Sequence, residues 1–426
     1  MKKVLVFPCG SEIGLELARS LSVSAHFALY GASSVADHGE FAYENYLERL
    51  PLVRDPAFPE ALNRLLEKYA IDYVYPAHDD VAALLARLRD EARLAAEVVA
   101  PGGETAGLCR SKSATYARFS GLLRVPRVYA AAELPAIDGP IFLKPDSGQG
   151  SKGTFLAPDR AAALERLRER PRSLALEFLP GREFTVDCFT DRHGALRFAS
   201  ARERLRVANG ISVRTAPVES PRLLEMAEIV NGELALRGPW FFQAREDKSG
   251  EPGLLEIAPR IAGASGLQRA RGVNLALLGL YDRMGLEVEV PAPLSGVALM
   301  DRALENRYRL DVRYAALYID LDDTLVVRGK VNLDAVRLLY QCFDRGVKTV
   351  LLTRRREGVE SALRRRRLSG LFDHIVEVPG GAPKSAFITE REAVFIDDSF
   401  AERREVKNAL GIPTFDPSAI EALLDS

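Results

Sequence analysis

Residues 320–325, Asp-Leu-Asp-Asp-Thr-Leu, follow the apolar run Ala315–Ile319. Such a run predicts a buried strand, and residues two apart on a strand point to the same side. Asp320 and Asp322 therefore bring two carboxylates together at a strand end, which is unfavourable unless a cation or a proton separates them. The pattern suits magnesium-assisted phosphoryl transfer, with one carboxylate as nucleophile and the other as acid and base. The alternative for these six residues alone is a solvated acidic turn.

Three further patterns follow in the chain. Residues 347–352 predict a second buried strand that leads into Thr353, and Ala393–Ile396 predict a third that ends at Asp397-Asp398. Between them, Pro383-Lys384-Ser385 opens a predicted helix. Because open α/β sheets bind ligands at the carboxyl ends of their strands, this order of polar residues predicts a ligand site.

The combination resembles the haloacid dehalogenase-like (HAD) phosphohydrolase superfamily over residues 312–426. The resemblance implies a Rossmann-like fold and the following site: Asp320 as nucleophile, Asp322 as general acid and base, and Thr353 and Lys384 as phosphate ligands. It further implies magnesium ligands at Asp320, Asp322 and Asp398, with Asp397 and Glu402 in the remaining acidic positions. The intervals on either side of Thr353 leave no room for a cap domain, so a capless site is expected. The alternative is a decayed copy that only binds its ligand.

Composition sets outer limits on the function. A chain of 426 residues is expected to form two to four domains, and its net charge of −1 argues against a general nucleic-acid or membrane-surface protein. No apolar run is long enough to predict a membrane span. The four cysteines are scattered without a CxxC pair, which indicates reduced thiols and a cytoplasmic location.

Two dense groups of arginines lie in the last domain, at 354–356 and 364–367. One interpretation is a solvated helix face. The other is that residues 354–356, directly after Thr353, steer or hold an anionic substrate.

The N-terminal region opens with the predicted strand Lys2–Phe7, a glycine turn and a helix. Only Gly10 and Gly14 of a dinucleotide fingerprint are present, so NAD binding is not predicted. The elements predicted next are a helix at 59–69, a strand at 71–75 and a helix at 80–96. They predict a small doubly wound α/β domain. His78 and Asp79 lie where they could touch a ligand, although Asp79 or Asp80 could instead cap the following helix.

The next segment carries two lysines and a glycine loop. Lys112 follows Ser111, and Lys144 lies on the predicted strand 141–145. Residues 146–153, Asp-Ser-Gly-Gln-Gly-Ser-Lys-Gly, can wrap phosphate oxygens with their backbone N–H groups. The P-loop ending is missing, and a flexible hairpin is the alternative for the loop alone.

Paired strands follow the loop. Residues 174–187 predict a strand, a glycine turn and a second strand, and residues 240–245 and 253–257 predict another pair. Ala258-Pro259-Arg260 comes directly after them.

Residues 1–300 are similar to the ATP-grasp superfamily, and most similar to carbamoyl-phosphate-synthase-like carboxylate–amine ligases. The resemblance implies an ATP site formed by Lys112, Lys144, Ser147, Gly148, Gly150, Ser151, Glu177, Phe178, Leu179 and Glu183. It implies magnesium ligands at Gln243 and Glu256, and Arg260 beside the transferring phosphoryl group and the acyl phosphate. It offers Arg202, Arg204, Arg271 and Asn274 as weaker substrate contacts.

One residue departs from the family pattern. The family has asparagine two positions after the metal-binding glutamate, whereas this chain has Ala258 after Glu256. A water or another side chain could complete the magnesium shell, because magnesium readily keeps waters. Otherwise the site holds one metal and runs slowly, or binds ATP without turnover.

The chain is therefore expected to be an α/β and α+β multidomain protein. The expected parts are a doubly wound pre-ATP-grasp domain at 1–105, an ATP-grasp domain at 106–300, a charged linker at 301–311 and a Rossmann-like capless HAD domain at 312–426.

The two resemblances together imply a bifunctional enzyme that uses ATP and Mg²⁺, with Mn²⁺ as a substitute. Its expected partners are a small-molecule carboxylate, an amine and a phosphorylated metabolite, with the oligomeric state open. The alternatives are an ATP-binding metabolite sensor with a degenerate ligase site and a nucleic-acid end-processing enzyme. The near-neutral charge weighs against the last of these.

Overall fold

The computed structural model of this chain describes residues 1–130, 132–134, 139–148, 150, 152–306, 308, 310–355 and 358–425. The chain forms two compact units, Met1–Leu304 and Glu305–Ser426, which are called the first and second unit below.

The first unit begins with a five-stranded parallel sheet in the order β3-β2-β1-β4-β5. Its strands are β1 (Lys2–Phe7), β2 (Phe27–Gly31), β3 (Asn45–Tyr46), β4 (Tyr73–Pro76) and β5 (Glu97–Val98). The helices of this region are α1 (Glu12–Leu21), α2 (Gly39–Ala42), α3 (Phe58–Tyr69), α4 (Asp79–Asp90), α5 (Gly103–Arg110) and α6 (Lys112–Phe119).

Alternate residues of β1 enter two different cores. Val4 and Val6 pack with residues of α1, whereas Leu5 and Phe7 pack with residues of α3 and α4. Because a strand projects successive side chains to opposite faces, this apolar run is buried by helices on both sides. The doubly wound arrangement predicted for this region is confirmed.

The predicted helix 80–96 is wrong at its C-terminal end. Helix α4 ends at Asp90, and Ala92 adopts a positive φ of 54°. The N–H groups of Ala92 and Arg93 turn back to the carbonyls of Arg89 and Leu88, which closes the helix.

The predicted capping of α4 by Asp79 or Asp80 is also wrong. His78 is the N-cap residue, and its side chain makes no capping bond. Both carboxylates are bound by arginines instead: Asp79 by Arg260 and Asp80 by Arg110.

Two antiparallel sheets form the rest of the first unit. The four-stranded sheet has the order β6-β9-β7-β8, and the six-stranded sheet has the order β14-β13-β10-β11-β12-β15. The smaller sheet consists of β6 (Val128–Tyr129), β7 (Ile141–Pro145), β8 (Phe155–Ala157) and β9 (Ser173–Glu177), with α7 (Arg160–Glu169). The larger consists of β10 (Glu183–Thr190), β11 (Leu196–Ala208), β12 (Ile211–Pro217), β13 (Gly238–Glu246), β14 (Pro252–Ala258) and β15 (Met300–Asp301), with α8 (Pro221–Glu233), α9 (Gly266–Ala270) and α10 (Leu275–Arg283).

The six-stranded sheet has one apolar and one polar face. Val186, Trp240 and Phe242 pack with Met226 of α8 on the apolar face. Alternation then puts the intervening residues of β10, β13 and β14 on the opposite face. Gln243 lies directly across from Glu256 in the β13–β14 register, so two predicted ligands become neighbours.

The second unit is built on a parallel sheet in the order β20-β19-β16-β21-β22. Its strands are β16 (Ala316–Ile319), β19 (Lys348–Thr353), β20 (His374–Glu377), β21 (Ala393–Ile396) and β22 (Thr414–Phe415), and a hairpin is formed by β17 (Val326–Val327) and β18 (Lys330–Val331). The helices are α11 (Leu333–Asp344), α12 (Val359–Arg365) and α13 (Phe400–Leu410), with 3₁₀ turns at Lys384–Phe387 and Pro417–Leu423.

The central strand β16 is fully buried. Leu317 and Ile319 face a core shared with α11 and α12, and Ala316 and Tyr318 face a core shared with α13. The three strands predicted from apolar runs in this region are confirmed. The helix predicted after Pro383 is a short 3₁₀ turn.

None of the helices in the described ranges is both long and apolar enough to cross a membrane.

The core of the second unit gives a matched pair of variants. Leu351 is 0% exposed on β19, whereas Phe343 on α11 is 77% exposed. We expect Leu351→Ala to lower the free energy of unfolding of this unit by about 2–5 kcal/mol, because the substitution leaves a cavity. Phe343→Ala is expected to change it by less than about 0.5 kcal/mol. Denaturant titration of both variants measures the difference, and equal effects would contradict this packing.

Candidate functional site

A cavity of about 350 Å³ lies between the two antiparallel sheets of the first unit. Many of the residues predicted from the sequence line it: Lys144, Gly148, Gly150, Glu177, Phe178, Leu179, Glu183, Arg204, Gln243 and Glu256. Residues of β7 and β9 form one wall and residues of β10, β13 and β14 the other, so the fold brings together positions far apart in the sequence.

Lys144 and Glu256 line this cavity together with other charged groups, and Lys112 is buried next to them. Lys144 Nζ donates to Glu256 Oε2 at 3.0 Å, and Lys112 Nζ lies 3.9 Å from the same oxygen. Burial raises the pKa of Glu256, but Lys144 and Lys112 outweigh it and hold the pKa at about 2. Burial and the neighbouring Lys144 lower the pKa of Lys112 to about 8. The site therefore has cationic groups that an added polyanion can stabilise.

The Lys112 ammonium group is also held by the glycine loop. It donates to the carbonyl oxygens of Asp146 and Gly148, each at 3.3 Å. Asp146 accepts from Ser111 Oγ and from the backbone N–H of Ser113, so the loop is fastened to the start of α6. Ser147 is exposed, and Ser151 lies outside the described residues.

Gln243 and Glu256 offer an amide oxygen and an ionised carboxylate side by side. Hard oxygen donors of this kind fit Mg²⁺. Ala258 lies on the same face but packs with Phe241 and Ala262, and it adds no donor. Within the described ranges, no group of three or more His, Cys, Asp or Glu side chains is gathered to hold a metal. The donors present suit one magnesium ion that keeps several waters.

The opposite end of the cavity contains Glu177, Phe178 and Leu179. Arg124 Nη2 donates to Glu177 Oε1, and the backbone N–H of Arg127 donates to Oε2 at 3.2 Å. The Arg245 guanidinium lies over the Phe178 ring, 5.7 Å from its centroid. Arg124 and Arg245 were missed from the sequence, and no local motif marks them.

Glu183 and Arg204 face each other across β10 and β11. Arg204 Nε lies 2.8 Å from Glu183 Oε1, and Arg245 Nη1 lies 3.6 Å from Oε2. Burial lowers the pKa of Arg204, and Glu183 opposes this effect. This carboxylate is fixed at the wall of the cavity.

Arg260 is engaged by a partner that the sequence did not predict. Its Nε and Nη2 donate to the two carboxylate oxygens of Asp79 at 2.6 and 2.8 Å, and its guanidinium lies over the Phe241 ring. The pair joins the end of β14 to the start of α4.

Three of the four weaker substrate candidates make structural contacts. Arg202 is buried and bonds Asp187, and Arg271 bonds Ser200 and Gln268. Asn274 caps α10 by accepting from the N–H of Leu277, and it also donates to the carbonyl of Ser20.

In the second unit, Lys384 lies between two carboxylates. Its Nζ donates to Asp320 Oδ1 at 2.7 Å and to Asp397 Oδ2 at 2.6 Å. Burial raises the pKa of Asp320 to about 6, although the Lys384 charge opposes it. Thr353 ends β19 beside β16, and Asp398 follows β21 on the other side. The order of the strands thus brings these predicted residues to one edge.

The remaining acidic residues of this edge are paired with arginines. Arg355 Nε donates to Asp322 Oδ2 at 3.0 Å, and its Nη2 donates to Oδ1. Arg354 binds both oxygens of Glu402, so Glu402 is an ion-pair partner here. Asp320, Asp322 and Asp398 carry the oxygen donors that Mg²⁺ prefers, but the described structure does not gather the three into one metal-binding group, and Lys384 and Arg355 bond two of them. Arg356 lies outside the described residues.

Residues 169–302 match a family model described as ATP-grasp in the biosynthetic pathway with Ter operon. The biotin carboxylase domain of Hydrogenobacter thermophilus 2-oxoglutarate carboxylase is similar in structure, with a TM-score of 0.57, 14% identity, and coverage of 70% of this chain and 72% of that chain. The L-amino acid ligase from Bacillus licheniformis is also similar in structure, with a TM-score of 0.54, 19% identity, and coverage of 66% of this chain and 73% of that chain. N5-carboxyaminoimidazole synthetase from Staphylococcus aureus is similar with a TM-score of 0.56, 15% identity, and coverage of 67% of this chain and 78% of that chain.

The first unit has an ATP-grasp fold. Among curated proteins, none matches this sequence. None of these comparisons supports the resemblance of residues 312–426 to the HAD superfamily.

The Asp79–Arg260 pair gives a stability prediction. The two side chains are 15% and 9% exposed, so removing the carboxylate leaves a largely buried cation without its partner. We expect Asp79→Ala to lower the free energy of unfolding of the first unit by about 3–5 kcal/mol. The exposed Glu60–Arg64 pair is the control, and Glu60→Ala is expected to change it by less than about 1 kcal/mol. Thermal unfolding that is equally insensitive to both changes would contradict a structural role for the pair.

Proposed function

We propose that this protein is a bifunctional enzyme. Its first unit would join a carboxylate to an amine with ATP, and its second unit would hydrolyse a phosphomonoester. The observation that carries the first activity is the Lys112–Lys144–Glu256 cluster on the wall of a cavity in an ATP-grasp fold. The second rests on the convergence of Asp320, Lys384 and Asp397.

The ligation runs through an acyl phosphate. A carboxylate oxygen attacks the γ-phosphorus of ATP, and ADP leaves. The amine nitrogen then attacks the carbonyl carbon, the C–O bond to phosphate breaks, and the nitrogen loses a proton as the amide forms. An amine does not react with an unactivated carboxylate, because oxide is a poor leaving group. In the acyl phosphate the leaving group is phosphate, which departs readily.

The residues of the first unit divide this work. Lys112 and Lys144 would neutralise the phosphate oxygens, and the glycine loop at 147–153 would close over them and exclude water. Phe178 and Leu179 would enclose the base, and Glu183 would accept from the ribose hydroxyls. Arg260 would steady the transferring phosphoryl group, and Arg204 is the substrate candidate that reaches the cavity.

Gln243 and Glu256 would hold magnesium, which when bound supplies positive charge beside the transferring phosphoryl group. Mn²⁺, also a hard cation, would take the same donors. The small, uncharged Ala258 leaves this shell to be completed by water.

The neighbours' names agree with this class of chemistry. They include an amino acid ligase and a synthetase, and one structure contains MgADP, ADP and bicarbonate bound to a biotin carboxylase domain dimer. For this chain, we propose that the carboxylate and the amine are small molecules and that the protein is cytoplasmic.

Lys144→Met tests the ligase site. We expect ADP formation to fall at least about 100-fold, because the transferring phosphoryl group loses a charged donor. The assay supplies ATP, Mg²⁺ and a panel of acid–amine pairs and follows ADP. Lys248→Met, on an exposed turn, removes the same charge elsewhere and should leave the rate unchanged. Full activity of Lys144→Met would contradict the assigned role.

The second candidate function is an ATP-binding sensor, and Ala258 is the observation that favours it. A sensor would bind ATP in calorimetry yet release no ADP with any member of the panel. The same panel therefore separates the two functions.

The second unit would act through an aspartyl phosphate. Asp320 attacks phosphorus, and the ester oxygen leaves with a proton from Asp322. Asp322 then takes a proton from the water that attacks the phosphorus, which releases phosphate and restores both carboxyl groups. Thr353 and Lys384 would bind the phosphoryl oxygens. Asp320, Asp322 and Asp398 would hold magnesium, which contributes positive charge. A nucleic-acid end-processing role is disfavoured by the net charge of −1.

Asp320→Asn separates the two activities. We expect phosphate release from phosphomonoesters to disappear while ADP formation by the first unit stays, because the substitution removes only the second nucleophile. Asp323→Asn is the matched control: Asp323 is exposed with a φ of 57°, a conformation that asparagine tolerates. If Asp320→Asn stops both reactions, the two sites are not independent.

A further inference from the structure

We propose that Arg355 determines the substrate specificity of the phosphatase site by binding a second anionic group of a small phosphorylated substrate. This group is a carboxylate or a second phosphate. The inference rests on the phosphatase function proposed for the second unit. In this structure, the Arg355 guanidinium is bound to the Asp322 carboxylate.

The contact between Arg355 and Asp322 has the geometry of oxyanion recognition. Nε donates to one carboxylate oxygen at 3.0 Å, and Nη2 donates to the other. Two parallel N–H bonds from a planar fork match a carboxylate or a phosphate group equally well. A substrate anion can therefore replace the Asp322 carboxylate without any change in the kind of contact.

Arg355 is located next to the predicted phosphate ligands. Its backbone N–H donates to Thr353 Oγ1 at 3.1 Å, and its side chain reaches the second carboxylate after β16. A substrate whose phosphoryl group lies between Asp320 and Thr353 would thus present neighbouring groups to this guanidinium.

The ion pair is easily exchanged. The side chains of Arg355 and Asp322 are 35% and 47% exposed, and solvent-exposed ion pairs contribute only about 0–1 kcal/mol. Arg354 differs, because it binds Glu402 and the carbonyl of Ala382. Lys384 differs too, because it is 2% exposed between two carboxylates. Among the three described cations Arg354, Arg355 and Lys384, Arg355 is therefore the one that a substrate anion can bind with the smallest loss of existing contacts.

The fold gives a reason for such a residue. In the described chain, the interval from Asp323 to Thr353 contains the β17–β18 hairpin, α11 and β19, and that from Thr353 to Lys384 contains α12 and β20. Neither interval holds a cap domain. Residues at the strand ends are then available to recognise the substrate, and Arg355 is one that can bind an anion there.

The experiment compares three phosphomonoesters in the full chain with Mg²⁺: ethyl phosphate, phosphoglycolate, and the bisphosphate of ethylene glycol. Phosphoglycolate replaces the methyl group of ethyl phosphate with a carboxylate, and the bisphosphate replaces one hydrogen of that methyl group with a phosphate group. We expect wild-type kcat/KM for at least one of them to exceed that for ethyl phosphate by about 10–100-fold, as for one charged hydrogen-bonding contact. The preferred substrate identifies the anion.

Arg355→Gln should reduce this preference to below about 3-fold, and Arg355→Lys should keep part of it, because a lysine retains the charge without the fork. Arg365→Gln, an exposed change on α12, should leave the preference intact. Binding of phosphoglycolate and ethyl phosphate to Asp320→Asn, measured by calorimetry with and without Arg355→Gln, gives a readout that needs no turnover. In that measurement, Arg355→Gln should weaken the binding of phosphoglycolate and leave the binding of ethyl phosphate unchanged.

Two results would overturn the inference. A wild type that hydrolyses all three esters at similar rates has no second-anion site. An Arg355→Gln variant that loses activity equally on all three shows that Arg355 only supports Asp322. Failure of the phosphatase function itself appears differently: no ester is hydrolysed, or Asp320→Asn hydrolyses them as well as wild type, and the inference then falls with it.

Discussion

Neutralisation of buried charge is the constraint on which both candidate sites depend. Lys384 is buried, and Asp320 and Asp397 each accept from its ammonium group. In the first unit, Glu256 stays ionised because Lys144 and Lys112 lie beside it. Removing one partner from such a cluster leaves an uncompensated charge in a medium that solvates it poorly. Phosphate oxygens can join either cluster, since they bring negative charge to lysines that are already held in place.

The sheet registers determine which groups share each cluster. In the first unit, β13 and β14 place Gln243 opposite Glu256, while β7 of the smaller sheet carries Lys144 to the same oxygen. In the second unit, the central position of β16 puts its carboxyl end between those of β19 and β21. The second arrangement follows the rule that ligands meet the carboxyl ends of strands in open α/β sheets. In the first unit, the cluster instead lies between two antiparallel sheets, whose strands contribute side chains from distant parts of the chain.

Much of the fold could be predicted locally. The strands β16, β19 and β21 appear in the sequence as short continuous apolar runs, because helices cover the sheet on both faces. Local patterns were less reliable at element ends. Helix α4 stops at Asp90 because Ala92 turns the backbone to a positive φ, and no glycine marks that position. The segment after Pro383 closes as a four-residue 3₁₀ turn, in which the N–H of Ala386 donates to the carbonyl of Pro383 and the N–H of Ile388 donates to that of Ser385.

The sequence by itself determined the order of the strands and helices and the residue types at strand ends, because both depend on neighbours within a few positions. Only the tertiary structure decided the partner of each charged group. Arg260 pairs with Asp79, which is 181 positions away, and Glu177 pairs with Arg124. Of two consecutive arginines, Arg355 binds Asp322 and Arg354 binds Glu402. The physical reason is that ion pairs form between segments that become neighbours on folding, and no local pattern records which segments those are.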